Sequence, residues 1–150
     1  MKKLVLGAAA LAAVLLAGVA SGAPATSRTL AFTDVQQRSI APPDPTLGDR
    51  MMFTSVIYNH GSQFGKPSGA RAGRAEGVCT VTGNTPPAVQ CVFTAHVPNG
   101  QLVAMGDGDP GKPVSRWAIV GGLGAYTSAR GTLVITNVSP TRSLVVAHLQ

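Results

Sequence analysis

Trp117-Ala-Ile-Val-Gly-Gly-Leu-Gly-Ala-Tyr-Thr-Ser-Ala-Arg-Gly-Thr-Leu133 decides how this chain reads. Two apolar segments flank a Gly-Gly-x-Gly turn, and Ala129-Arg130-Gly131 leads into the second of them. Such a block either cradles a phosphate or turns a tight corner between strands of a small barrel. A dinucleotide fingerprint needs Gly-x-Gly-x-x-Gly opening a helix whose N-terminus faces the pyrophosphate. Here Thr127 stands where the third glycine would be. The residues that follow, Gly131 to Val138, are rich in β-branched side chains, which suit a pleated strand better than a helix. No acid lies about twenty positions further on to hold a ribose. The corner reading stands and the nucleotide reading falls.

Working outward, almost nothing beyond the N-terminal region reads as helix. Apolar or alternating segments recur between Gly, Pro, Asn and Asp. They predict strands at Thr29–Gln37, Asp49–Tyr58, Ala75–Thr82, Val89–His96, Gln101–Asp107, Arg116–Val120, Gly131–Val138 and Arg142–Leu149, with a further short strand within Gly65–Ala72. Turns at Pro98-Asn-Gly100, Gly108-Asp-Pro-Gly111 and Ser139-Pro140 support the count. The prolines in Ile40-Ala-Pro-Pro-Asp-Pro-Thr46 exclude helix and central strand alike, so this is an extended connector. Long loops are confined to Ile40–Gly48 and Asn59–Arg74. About eight short strands at this spacing imply a barrel or a sandwich.

The N-terminus predicts export. Met1-Lys2-Lys3 is a short positive region, Leu4 to Ala20 carries no charge, and small residues cluster at Ala20-Ser-Gly-Ala-Pro-Ala25. This is the pattern of a signal peptide over residues 1–25, cleaved somewhere within 20–26; an uncleaved anchor is the competing view. No cysteine follows the apolar run to take a lipid. The mature chain, one domain over residues 28–150, is expected to be secreted or held in the cell envelope, with no membrane contact after cleavage. Without Lys2 and Lys3, ten of the twelve basic residues remain against six acids. They are scattered; only Lys66, Arg71 and Arg74 lie close together, in a Gly/Ser/Pro stretch, so a nucleic-acid partner is not expected. His60, His96 and His148 lack metal-ligand spacing, and Asp107-Gly-Asp-Pro-Gly111 is a turn with too few ligands for calcium. No Gly-x-Ser-x-Gly elbow marks a serine hydrolase. Neither a metal nor a cofactor is expected.

The two cysteines are Cys79 and Cys91. Their segments flank Gly83-Asn-Thr-Pro-Pro-Ala88; a symmetric hairpin centred on Thr85 sets Cys79 opposite Cys91. Directly opposed residues have Cβ atoms about 4.5–5.5 Å apart, near the spacing a bridge needs. An exported chain therefore predicts a disulfide, with two inward-facing free thiols as the alternative.

Gly48-Asp-Arg-Met-Met-Phe-Thr-Ser-Val-Ile-Tyr58 resembles the Gly-Asp-x-x-x-Phe-Thr-x-x-x-Tyr segment of plant allene oxide cyclases, and Gly77-Val-Cys79 is similar to their Gly-Leu-Cys strand. Ala118 to Gly131 resembles the equivalent block of dirigent proteins, which share that barrel. The resemblance implies an all-β, eight-stranded antiparallel up-and-down barrel with a small central cavity. Eight strands are just wide enough for side chains or one small ligand. Strand alternation places Leu30, Phe32, Asp34 and Gln36 on one face, and an acid in an apolar strand must be solvated, paired or functional. The resemblance carries a catalytic aspartate onto Asp34 and a water-holding role onto Gln36 and Ser55. It makes Pro43 and Cys79 cavity residues, and alternation adds Phe32; oxidation with Cys91 would remove any thiol role of Cys79. Tyr58 either donates to a substrate oxygen or packs at the rim with one wet end. Arg130 either pairs with Asp34 structurally or stabilises developing negative charge with its fork of donors. Several dirigent-type proteins carry an acid just after the glycine turn; Ala125 stands there here.

These observations leave three functions in play. The first is a cyclase or isomerase that fixes a small apolar substrate in the cavity, with Asp34 and Arg130 as catalytic residues. The second is a non-catalytic carrier or dirigent-like guide for a small hydrophobic molecule. The third is an envelope protein whose barrel is filled by its own side chains. A homo-oligomer stays open in each case.

Overall fold

The computed structural model describes residues 27–84 and 87–150. The predicted signal peptide lies outside them. Eight strands follow in chain order: β1 Arg28–Ile40, β2 Arg50–Asn59, β3 Arg71–Asn84, β4 Pro87–Val97, β5 Gly100–Gly108, β6 Val114–Gly124, β7 Gly131–Ser139 and β8 Arg142–Leu149. Each pairs antiparallel with its chain neighbour, and β1 closes on β8 to complete a barrel. The expected eight-stranded up-and-down barrel is the fold. The extra strand expected within Gly65–Ala72 is absent. There the backbone turns back on itself through a single Gln63–Lys66 bridge, and Gly69 and Ala70 bond the backbone of Asn59. Strand β6 runs four residues past its predicted end at Val120, because a bulge between the Val103–Gly121 and Ala104–Ile119 pairs lets the ladder continue to Gly124.

Strand alternation sets which side chains fill the interior. Leu30 and Phe32 on β1, Ile57 on β2, Cys91 on β4, Leu102 and Ala104 on β5, Trp117 and Ile119 on β6, and Ala147 on β8 all point inward and are buried. Two strands contribute glycine where a neighbour carries a large ring. A Cβ on Gly108 would strike the Trp117 indole, and one on Gly77 would strike Phe53 and Phe93. The rings therefore lie down against bare backbone, and their bulk does not burst the barrel.

The two ends differ. At one end the glycine block turns β6 into β7. Gly122 lies so near the Gln101 and Tyr126 carbonyls that a Cβ would overlap them. Gly124 turns the chain at φ 64°, after which successive turn bonds from Thr127 to Gly124 and from Ala129 to Tyr126 fold Tyr126 inward. Tyr126 is buried, and its hydroxyl donates to the Pro98 carbonyl at 3.3 Å. The loop after β2 closes the same end. Gln63 bonds both the N–H and the carbonyl of Ala31, acting as a side-chain extension of the ladder. Phe64 stacks on Phe32 with centroids 6.2 Å apart, and the Arg28 guanidinium lies 5.7 Å from the Phe64 ring centre. Phe64 sits at φ 56°, a conformation that costs a bulky residue about 1–3 kcal/mol and persists because this packing holds it. Buried Asn59 ties the loop down through bonds from its amide to the Gln63 and Lys66 carbonyls. At the other end the connections are the 41–49 loop, the β3–β4 hairpin, residues 109–113 and the Ser139–Arg142 turn. That end is open.

Cys79 and Cys91 are directly paired in the β3–β4 ladder and form a disulfide, with Cα atoms 4.0 Å apart. The hairpin symmetry about Thr85 holds through the cysteines. A bulge between Val81 and Gly83 then shifts the register before the final Asn84–Pro87 pair.

Candidate functional site

Inside the barrel is a cavity of about 190 Å³. Its deeper walls are apolar: Phe32, Ile57, Leu102, Ile119, Leu133 and Val145. Small residues keep the space open, since Ala75, Ala95, Ala104 and Ala147 supply a methyl where larger side chains would fill the middle. Toward the open end the cavity meets a wider vestibule bounded by the Cys79–Cys91 bridge, Pro110, Trp117 and the turn around Pro140. Asp34, Gln36, Phe93, Ile135 and Ser143 line both chambers. They mark the neck between them.

Asp34 is the centre of that neck. On one side it pairs in register with Ile57, on the other with Ser143. Burial pushes its carboxyl up to about 6, and the Ser55 hydroxyl pulls weakly the other way. Ser55 is fully enclosed, yet its Oγ makes no hydrogen bond of ordinary geometry with the described residues. Burial dominates: an apolar wall disfavours the charged form, and among the described residues no cation pairs with it to restore it. None of the ion pairs among the described residues involves Asp34. The shift brings its proton exchange closer to neutral pH than that of an ordinary aspartate, which suits acid–base work.

The sequence-derived candidates separate cleanly. Phe32, Asp34 and Gln36 line the cavity together, and Ser55 faces the interior beside Gln36 in the β1–β2 ladder. Cys79 lies at the vestibule but is oxidised, so it offers no thiol to a ligand. Three candidates stand elsewhere. Tyr58 follows inward-facing Ile57 on β2, and strict alternation turns it outward, away from the cavity. Pro43 lies exposed in the 41–49 loop and does not reach the vestibule wall. Arg130 belongs to the glycine corner at the closed end, the opposite end from the neck. It is exposed, rests against Gly121, and donates to the Ala129 carbonyl at 2.8 Å. Neither the Asp34–Arg130 ion pair nor a joint Asp34–Arg130 site is formed.

The geometry adds residues that the sequence reading passed over. Ser143 pairs with Asp34 and donates to the Asn137 side-chain carbonyl at 3.0 Å, completing a polar edge on β1, β7 and β8. The alternation Ser143, Val145, Ala147, Leu149 could have shown it, since one hydroxyl interrupts an otherwise apolar inward row. Rings on β2, β4 and β6 form an aromatic wall. Phe53 and Phe93 have centroids 5.6 Å apart. Phe93 meets Trp117 edge to face at 4.8 Å. The Trp117 indole N–H is satisfied by Ser115 at 2.9 Å, so it is not free to bind a ligand.

Comparison with known proteins agrees with this architecture. No curated protein matches the chain in sequence. Among solved structures, a pyocyanin demethylase superposes with a TM-score of 0.69 at 21% identity, over 82% of this chain and 100% of that one. An exo-specific intermolecular Diels–Alderase gives 0.68 at 14% identity, over 83% and 98%. A pterocarpan synthase dirigent protein gives 0.62 at 19% identity, over 82% and 85%. At these identities the likeness is one of fold. The dirigent-like protein family model matches residues 19–150. With that match over most of its length, on a closed eight-stranded barrel, the chain belongs to the dirigent-like protein family.

Proposed function

We propose that this protein is an exported barrel that takes one small hydrophobic molecule into its cavity and steers that molecule's conformation, acting as an intramolecular cyclase or isomerase. One observation carries the reading: an apolar chamber with a single carboxyl at its neck. A folded substrate held there loses the freedom that makes ring closure slow in water, and positioning of this kind can supply several kcal/mol, up to about 7–11. Asp34 takes or gives the proton that the rearrangement moves, its pKa lying close to neutral. Gln36 and Ser143 orient the polar end of the molecule. Another barrel of this fold, named as a pterocarpan synthase dirigent protein, fits such a role. The disulfide fits an oxidising, extracytoplasmic setting.

A second reading, a carrier or guide without turnover, is favoured by a different observation. Ala125 and Arg130 stand at the closed end, so Asp34 has no second charged group to work with. Native mass spectrometry of protein purified from secreting cells separates the possibilities. It should show one small molecule per chain; a barrel that is always empty contradicts both readings. On the molecule so identified, Asp34→Asn should lower turnover at saturating substrate by roughly 10²–10⁴-fold. A wild type that binds without converting it leaves the carrier.

A further inference from the structure

Among the described residues, Asp34 is the only titratable side chain that lines either chamber. Its neighbours on the flanking strands are neutral: Ile57 and Ser55 on β2, Ser143 on β8. Arg142, the nearest base along β8, pairs with Val35 and so belongs to the outward-facing rows. Arg130 is at the other end. A carboxyl half-buried among apolar groups without a counter-ion is costly to keep, and natural interiors normally pair it. Phe53 and Phe93 line the inner chamber and Phe93 and Trp117 the vestibule, an aromatic wall whose rings suit a flat partner and whose faces attract positive charge. The cavity thus has a cation-seeking group at the neck, aromatic surface along its walls and, among the described residues, no positive charge of its own.

From this charge pattern we infer that the molecule taken up is a flat apolar cation, an aromatic ring system bearing a protonated nitrogen, with its rings in the inner chamber and its nitrogen at Asp34. The inference rests on the cavity reading above and adds the ligand's charge to it. The ligand supplies the counter-ion that the barrel lacks. Gln36 and Ser143 border the nitrogen through side-chain oxygens able to accept its protons.

Three probes that share one ring and differ in their head group test it: 1-naphthylmethylammonium, 1-naphthalenemethanol and 1-naphthoate, titrated by calorimetry against the mature protein at pH 7.5. The ammonium should bind at least tenfold tighter than the alcohol, and the carboxylate more weakly than either. Asp34→Asn should erase the ammonium's advantage while leaving the alcohol's affinity within about twofold. The advantage should also shrink as the pH falls from 8 to 5, because Asp34 takes up a proton while the probe stays charged. Equal binding of ammonium and alcohol, or an advantage that survives Asp34→Asn, overturns the inference and leaves the cavity reading intact. Failure of all three probes to bind removes the cavity reading, and the inference with it.

Discussion

Asp34 holds a carboxyl where the folded barrel disfavours its charge. Its folded-state pKa of about 6 stands above the ordinary value of 3.8, so the ionised form is disfavoured in the folded barrel. The cost is fully present above pH 6 and is relieved as pH falls through 6 toward 3.8. A two-unit shift corresponds to about 3 kcal/mol, and the water of the vestibule screens part of it, leaving about 1–2 kcal/mol. Asp34→Asn should therefore stabilise the protein by that amount at pH 7.5 in urea denaturation and have no such effect at pH 3.5. Equal effects at both pH values would show that the carboxyl is not held in an unfavourable site. Asp34 was legible because a lone acid in an apolar strand demands a reason. Arg130 was misleading because its neighbours in sequence, Gly122 and Gly124, turn the chain away from the cavity. No pattern of residue types discloses at which end of the barrel a corner falls.

At the scale of the element, the glycine block shows how unequal adjacent glycines are. A Cβ on Gly121 would meet only the tip of the Arg130 side chain, at 3.5 Å. One on Gly122 would overlap the Gln101 carbonyl in the β5–β6 ladder and the Tyr126 carbonyl that holds the corner through Ala129. Gly122→Ala should cost at least about 2 kcal/mol, in the range of overpacking and strain, while Gly121→Ala should stay within about 1 kcal/mol. Chemical denaturation of the two variants checks this, and similar losses at both positions would contradict the packing described. Strand positions were readable from alternation and turn residues, and the cysteine pairing from hairpin symmetry. The bulges near Val103 and Val81 were not, since an extra residue in a ladder leaves no mark in composition. Tyr58 follows the same logic in reverse: alternation alone, counted from Ile57, would have placed it outside.

For the molecule as a whole, closure of the sheet decides what the interior can do. Eight strands leave room for one small ligand or for side chains, and the balance rests on which residues point inward. Large inward rings sit on glycine, while alanines line the middle, so the barrel encloses space that a few substitutions could fill. Fold class was legible from strand count and from the resemblance of the glycine block. Cavity size was not, because it depends on how Phe53, Phe93 and Trp117 lie against bare backbone across the barrel. Under the proposed function this space receives a ligand. A fluorescence titration with N-phenyl-1-naphthylamine, a neutral apolar probe, on the mature protein and on Ala95→Phe, which places a ring in the chamber, tests that. Saturable binding of one probe per wild-type chain is expected, with loss of that binding in an Ala95→Phe variant whose circular dichroism remains that of the barrel. No binding to the wild type, or unchanged binding in the folded variant, would contradict it.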